Sequence, residues 1–152
     1  RRFCMAIARG NDAGDDLCQA TIERALSRAD QFEQGSRLDS WMYRIAQNIM
    51  IDQARRKKTR GHEIEVDDGL ALVGDDGVQI VEARSELARA REAMAALPDE
   101  QRALMALVVL DGKSYKDASE ILGIPMGTVM SRIARARRSI DAYVHGNEGA
   151  MA

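Results

Sequence analysis

Between residues 61 and 77 the chain abandons any pattern that would let it pack. Gly61, Gly69, Gly74 and Gly77 interrupt the segment, and Asp67, Asp68, Asp75 and Asp76 keep it solvated. That composition predicts irregular, mobile backbone serving as a flexible acidic linker. Of the 152 residues, it leaves two pieces, 1–60 and 78–145, each the size of a small domain. Both pieces read as helix. The expected class is therefore all-α, two small helical domains on one tether, with a frayed tail over 146–152.

The helical reading rests on periodicity and on end signals. From Asp16, the apolar residues Cys18, Ile22, Ala25, Leu26 and Ala29 fall on one stripe, taken as the buried one, while Asp16, Gln19 and Glu23 fall on another. Gln34-Gly35-Ser36 breaks this helix. The next begins near Asp39-Ser40, both good N-caps, and runs to about Lys58 with Met42, Ile45 and Ile49 inward. Beyond the linker a helix is expected from Val78 to Ala96, ended by Leu97-Pro98 because the residue before proline avoids the helical region. Pro98 suits the first turn of a helix from Asp99 to Leu110. Ser114 is placed to cap a short helix with Asp117 in the capping-box position. Gly123 permits a left-handed exit from it, and Pro125 opens a last helix to about Val144.

Charge is distributed unevenly along this frame. Residues 1–60 carry 12 Lys/Arg against 8 Asp/Glu (+4), 61–100 carry 3 against 11 (−8), and 101–152 carry 7 against 5 (+2). Two basic blocks flanking an acidic middle point toward nucleic acid, though weakly when taken alone. Other classes find no support. No apolar run approaches the roughly 20 residues needed to span a bilayer. No signal peptide precedes the first amphipathic stretch, and the absence of an initiator Met leads us to expect a segment from a longer natural sequence. Cys4, Cys18, His62 and His145 lack the paired spacing of a zinc site and read as ordinary residues of a reducing cytosol. No phosphate-cradling glycine loop or nucleophile elbow is present, so neither a cofactor nor an enzymatic site is expected.

The last two helices, joined by a tight glycine turn, carry the helix-turn-helix signature. In the final helix Val129, Ile133, Ala136 and Ile140 make a buried stripe. Gly127, Thr128, Met130, Ser131, Ala134, Arg135 and Arg138 lie off it. Small residues near the start allow close entry to a major groove. Ser131 and Arg135 can then reach base edges, while Arg132, Arg137 and Arg138 can neutralise phosphates. In the first half, Trp41, Arg44, Asn48, Asp52 and Arg55 recur three or four apart on one face, followed by Arg56, Lys57 and Lys58. An aromatic ring, an amide and cations on one face suit unstacked bases and backbone phosphates, and the Glu33–Ser40 loop beside them can form a pocket for a flipped base. Ordinary core packing of Trp41, and a merely solvated basic face on the last helix, remain alternatives.

The stretch LPDEQRALMALVVLDGKSYKDASEILGIPMGTVMSRIARARRSI from Leu97 resembles region 4 of the extracytoplasmic-function sigma factors. The resemblance is carried by Leu97-Pro98…Gln101-Arg102, Ile121-Leu122-Gly123-Ile124-Pro125, Gly127-Thr128-Val129 and Ser131-Arg132…Arg135-Ala136-Arg137. Asp15-Asp16-Leu17-Cys18-Gln19 and Leu38-Asp39-Ser40-Trp41-Met42-Tyr43-Arg44-Ile45-Ala46-Gln47-Asn48 resemble region 2 of the same family, in the family's order and with a linker between. The resemblance implies a cytoplasmic promoter-recognition subunit with no catalytic activity. Its partners would be core RNA polymerase, promoter DNA and an anti-sigma factor, and the chain would be monomeric within its complexes. It also implies that Asp16, Gln19 and Glu23 meet the polymerase. The stripe from Trp41 to Lys58 would read and melt the −10 element, and the last helix would read the −35 element. Met130, Ala134, Ala118-Ser119 and Ala20 depart from the family pattern, the first two at positions that bear on the −35 sequence. Two rival readings are a sigma-like decoy that sequesters an anti-sigma factor and a stand-alone helix-turn-helix regulator.

Overall fold

A computed structural model describes residues 1–61 and 78–146. The linker expected over 61–77, apart from Gly61, and the tail expected beyond Gly146 lie outside the described residues. Within them the chain is helical, with no strand. Three helices precede the gap: α1 (Arg2–Ala8), α2 (Asn11–Ser27) and α3 (Leu38–Thr59), with a single 3₁₀ turn at Ala29–Gln31. Four follow it: α4 (Val78–Ala96), α5 (Asp99–Met105), α6 (Tyr115–Leu122) and α7 (Met126–His145).

Several helix ends follow from single residues. The Ser114 hydroxyl accepts the Asp117 amide at 3.0 Å, so the capping box forms as its spacing requires. Gly123 leaves α6 at φ 64°, in the left-handed region that glycine enters without a Cβ penalty. Pro98 caps α5, and Pro125 caps α7. α3 starts one residue before the expected caps. Asp39 sits in its first turn, where its carboxylate accepts the Ser40 amide at 2.7 Å. The helix expected over 99–110 is not uniform. After Met105 it widens into a π-helical turn over Ala106–Leu110, closed by the Asp111 amide on the Ala106 carbonyl at 3.1 Å.

One expectation about packing is corrected. On α2 the buried positions are Gly14, Leu17, Thr21 and Ala25, whereas Ile22 and Leu26 are exposed at 46% and 73%. Cys18 is only partly buried. The reason lies at Gly14. A Cβ there would stand 2.5 Å from the Met5 Cα and 2.9 Å from the Met5 nitrogen. The α1 backbone therefore lies directly on α2 along the glycine face, and that approach, not summed hydrophobicity, decides which stripe turns inward. Thr21 is buried there without penalty because its hydroxyl donates to the Leu17 carbonyl at 2.7 Å.

The two halves share one continuous apolar core. Phe3 and Ile7 of α1, Leu17 of α2 and Ile45 and Ile49 of α3 join Leu97, Leu104, Leu107, Ile121, Val129 and Ile133. α1 touches both α2 and α5 with its π-helical extension, and α3 packs on α6. In the last helix Val129, Ile133 and Ala136 are buried as their spacing requires, with Ile140 half-buried.

The α1–α2 contact gives a direct test. Gly14→Ala forces a methyl into backbone and should lower stability by about 1–3 kcal/mol. Gly10→Ala, where nothing lies within 4 Å, should cost less than about 1 kcal/mol. Urea or thermal unfolding of the two variants checks the difference.

Candidate nucleic-acid interface

On α7, Val129, Ile133 and Ala136 face the core and thereby fix the outward set. Gly127, Met130, Ser131, Arg135, Arg137 and Arg138 are exposed, and Thr128 is half-buried. The Ser131 hydroxyl donates to the Thr128 carbonyl at 3.1 Å, and Arg138 reaches the Ala134 carbonyl at 3.4 Å. Arg132 stands apart. Its guanidinium is paired with Glu100 at 2.7 Å and only a quarter exposed, so it ties α7 to α5. Small residues near the start of α7 and cations from its middle onward form an outward face suited to a major groove.

The α3 stripe is brought together less completely. Asn48, Arg55, Arg56, Lys57 and Lys58 are exposed. Trp41 is half-buried, its ring tilted against Phe32 with centroids 5.2 Å apart, so the aromatic is positioned by the loop before α3. Asp52 lies 3.6 Å from Arg24 of α2 and is a brace between helices as much as a contact residue. Arg44 donates to the Glu120 carbonyl of α6 at 3.2 Å.

Arg44 belongs to a wider set of contacts between the halves that sequence reading did not reveal. Arg37 pairs with Asp117 at 3.0 Å. Lys113 donates to Asp39. The Tyr43 hydroxyl donates to Asp111 at 2.8 Å, and Arg2 lies 3.3 Å from the same carboxylate. The partners are separated by 68 to 80 residues for the Tyr43, Lys113 and Arg37 contacts, so no local pattern announces them. The Lys113 ammonium holds the Asp39 carboxyl at about 2, and burial, followed by Asp111, pushes the Tyr43 phenol up.

Asp16, Gln19 and Glu23 are exposed on α2, with the Gln19 amide donating to Glu23 at 3.2 Å. The exposed Ile22 and Leu26 belong to the same helix.

Comparison with known proteins places this arrangement. The Sigma-70 region 2 model matches residues 1–60, and the Sigma-70, region 4 model matches residues 83–140. The chain is 35% identical over 150 residues to the ECF RNA polymerase sigma factor EcfG of Rhodopseudomonas palustris, covering 97% of this chain and 81% of that protein. The chain belongs to the ECF sigma factors. A second member, SigW of Bacillus subtilis, is 30% identical over 148 residues, covering 91% of this chain and 79% of its own. Among solved structures, the sigma factor RpoE in complex with the anti-sigma factor NepR from Bartonella quintana matches with a TM-score of 0.71 at 29% identity, over 93% of this chain and 86% of that one. CnrH in complex with the cytosolic domain of CnrY matches with a TM-score of 0.63 at 25% identity, over 93% and 79%. No helix among the described residues of this sigma factor is long and apolar enough to cross a membrane.

The ion pairs between the halves give a pH dependence. The Ser114 hydrogen bond, followed by the Arg37 charge, holds the Asp117 carboxyl below the usual range, and Lys113 does so for Asp39. A carboxylate whose folded pKa is depressed stabilises the fold fully above its unfolded value of about 3.9 and ceases to do so as pH falls through the folded value. Stability should therefore fall as the pH drops from about 4 toward 2. A Lys113→Gln variant should lose less over that interval, because part of the linkage is already gone. Urea midpoints measured across the acid range decide it.

Proposed function

We propose that this sigma factor directs core RNA polymerase to specific promoters through two surfaces and helps open the −10 region. The outward face of α7, with Ser131, Arg135 and Arg138 clear of the buried stripe, is the observation that carries the reading. It serves as the reader of the −35 element. The exposed cations at the end of α3, with Asn48 and the Phe32-braced Trp41, serve the −10 element. Residues 1–60 and 78–145 act as separate binding units when polymerase sets their spacing, which multiplies two weak contacts through effective concentration. The protein makes no bonds of its own and works in the cytoplasm.

The polymerase contact lies on α2. Asp16, Gln19 and Glu23 are polar and exposed, and the exposed Ile22 and Leu26 supply the apolar area that stable association draws on. A neighbour solved in complex with an anti-sigma factor supports an anti-sigma factor as a further partner here.

Substitutions separate these roles. Asp16→Ala with Gln19→Ala, or Leu26→Ser alone, should weaken assembly with core polymerase while leaving the unfolding transition within about 0.5 kcal/mol, as expected for surface positions. Undiminished assembly in a pull-down with core enzyme would remove α2 from the interface. On α7, Arg135→Ala should lose about 1–3 kcal/mol of promoter binding, concentrated at particular −35 positions. Arg138→Ala should weaken all promoters about equally and lower the salt dependence by roughly one charge. Transcription from single-base −35 variants by core polymerase with each mutant is the measurement. If Arg135→Ala leaves strength and base preference unchanged, α7 is not the reader and a decoy role gains.

A further inference from the structure

The sequence holds two cysteines, and the fold brings both to one cavity. Cys4 of α1 is buried, whereas Cys18 of α2 is half-buried. The approach of α1 to Gly14 sets them side by side. A Cβ at Gly14 would stand 2.5 Å from the Met5 Cα, so Cys4 adjoins the point where the two backbones meet. Cys18 follows Gly14 by four residues and therefore stands on the same face of α2, one turn further on. Side chains on a helix lean toward its N-terminus, which tilts the Cys18 thiol back over the Gly14 turn and toward α1. The two cysteines line a cavity of about 230 Å³, together with Phe3, Thr21, Ile22 and Met42. The Thr21 hydroxyl is already committed to the Leu17 carbonyl at 2.7 Å. Burial, followed by the neighbouring Cys18, pushes the Cys4 thiol up. Neither sulfur has a part in the DNA or polymerase contacts described above.

We propose that Cys4 and Cys18 are an oxidation site for peroxide, which converts them to an intramolecular disulfide tying α1 to α2. Cys18 reacts first because it is the thiol that solvent reaches. Its sulfur attacks one peroxide oxygen and the O–O bond breaks. One hydroxyl stays on the sulfur as a sulfenic acid, and the other leaves as water with the Cys18 proton. The Cys4 sulfur then attacks the Cys18 sulfur, the S–O bond breaks, and a second water leaves with the Cys4 proton. Two electrons pass from the sulfurs to each peroxide. In a reducing cytoplasm the dithiol is the resting form, and thiol exchange restores it. Bonded sulfurs lie about 2.05 Å apart, closer than unbonded atoms can approach, so the bond draws the Cys18 turn of α2 toward α1. Gln19 and Ile22 belong to that stretch of α2. Oxidation therefore pulls back part of the face proposed to meet polymerase, a consequence that rests on that reading of α2.

The test uses the full chain, folded and reduced, then treated with hydrogen peroxide. After the remaining thiols are blocked, tryptic digestion without reductant should join peptide 3–9 to peptide 10–24 through one disulfide, and dithiothreitol should part them. Dimedone, which traps sulfenic acids, should label Cys18 in a Cys4→Ala variant and leave Cys4 unlabelled in a Cys18→Ser variant. Cys18→Ser changes a partly exposed position and serves if Cys4→Ala does not fold. Disulfide-linked dimers in place of the internal bond would overturn the proposal. So would overoxidation of Cys18 with Cys4 still a free thiol, or a wild type that peroxide leaves as the dithiol. Assembly with core polymerase is then compared for reduced, oxidised and re-reduced wild type. The oxidised chain should assemble several-fold more weakly, dithiothreitol should restore it, and Cys18→Ser should be indifferent to peroxide. A disulfide that forms with assembly unchanged would sink the effect on polymerase. Failure of the reduced wild type to assemble would instead sink the reading of α2, and the peptide result would stand on its own.

Discussion

A guanidinium with 1% exposure sits where three helices meet. Arg102 of α5 donates to the Leu97 carbonyl at 2.6 Å and the Ala95 carbonyl at 3.4 Å, both at the end of α4. It also donates to the Ile7 carbonyl near the end of α1 at 3.3 Å, and to the Asp99 carboxylate. Burial of a charge this complete is tolerable only with such a set of acceptors, and burial still pulls the Arg102 pKa down. The carbonyl ends of two helices are negative poles, so one cation satisfies orphan acceptors of both. α1 and α4 come from opposite sides of the acidic linker. A single side chain thus fixes where the first half ends against the second, and the contacts of α3 with α6 follow from that placement.

The alignment explains why so little energy in individual ion pairs has structural consequence. Arg9 and Arg102 both address Asp99, whose carboxyl burial pushes up but whose net value lies below normal because the two arginines outweigh burial. Around this point the apolar side chains of α1 fill the space between α2 and α5. Area burial supplies most of the attraction. Polar groups choose among the many ways two greasy faces can meet, because a misplaced first half would deprive Arg102 of its Ile7 acceptor.

Much of the second half was legible in the sequence. Ser114, Gly123, Pro98 and Pro125 each impose a local backbone outcome that no distant contact overrides, and the α7 stripe has one apolar face only. α2 was misread because Cys18, Ile22 and Leu26 compete with Gly14, Leu17 and Thr21 for the inward face. Hydropathy favours the former, but the side-chain-free surface at Gly14 admits α1 and decides for the latter. The outward positions of Ser131, Arg135 and Arg138 were legible for the same reason as their buried neighbours. The engagement of Arg44 by Glu120 and of Arg132 by Glu100 was not, since either arginine would read in sequence as a free surface cation.

The π-helical turn at Ala106–Leu110 fits one residue more into its turn than an α-helix does. With one residue deleted from it, the Asp111 amide would close a plain α turn on the same Ala106 carbonyl. The exit toward α6 would then stay nearly in phase, and what the wider turn adds is one more side chain around the same circuit. A deletion in the α5 turn before it has no such slack, because there every later residue would swing by about 100° around the axis. The widened turn is thus the place where this part of the chain can change length while α6 keeps its seat on α3.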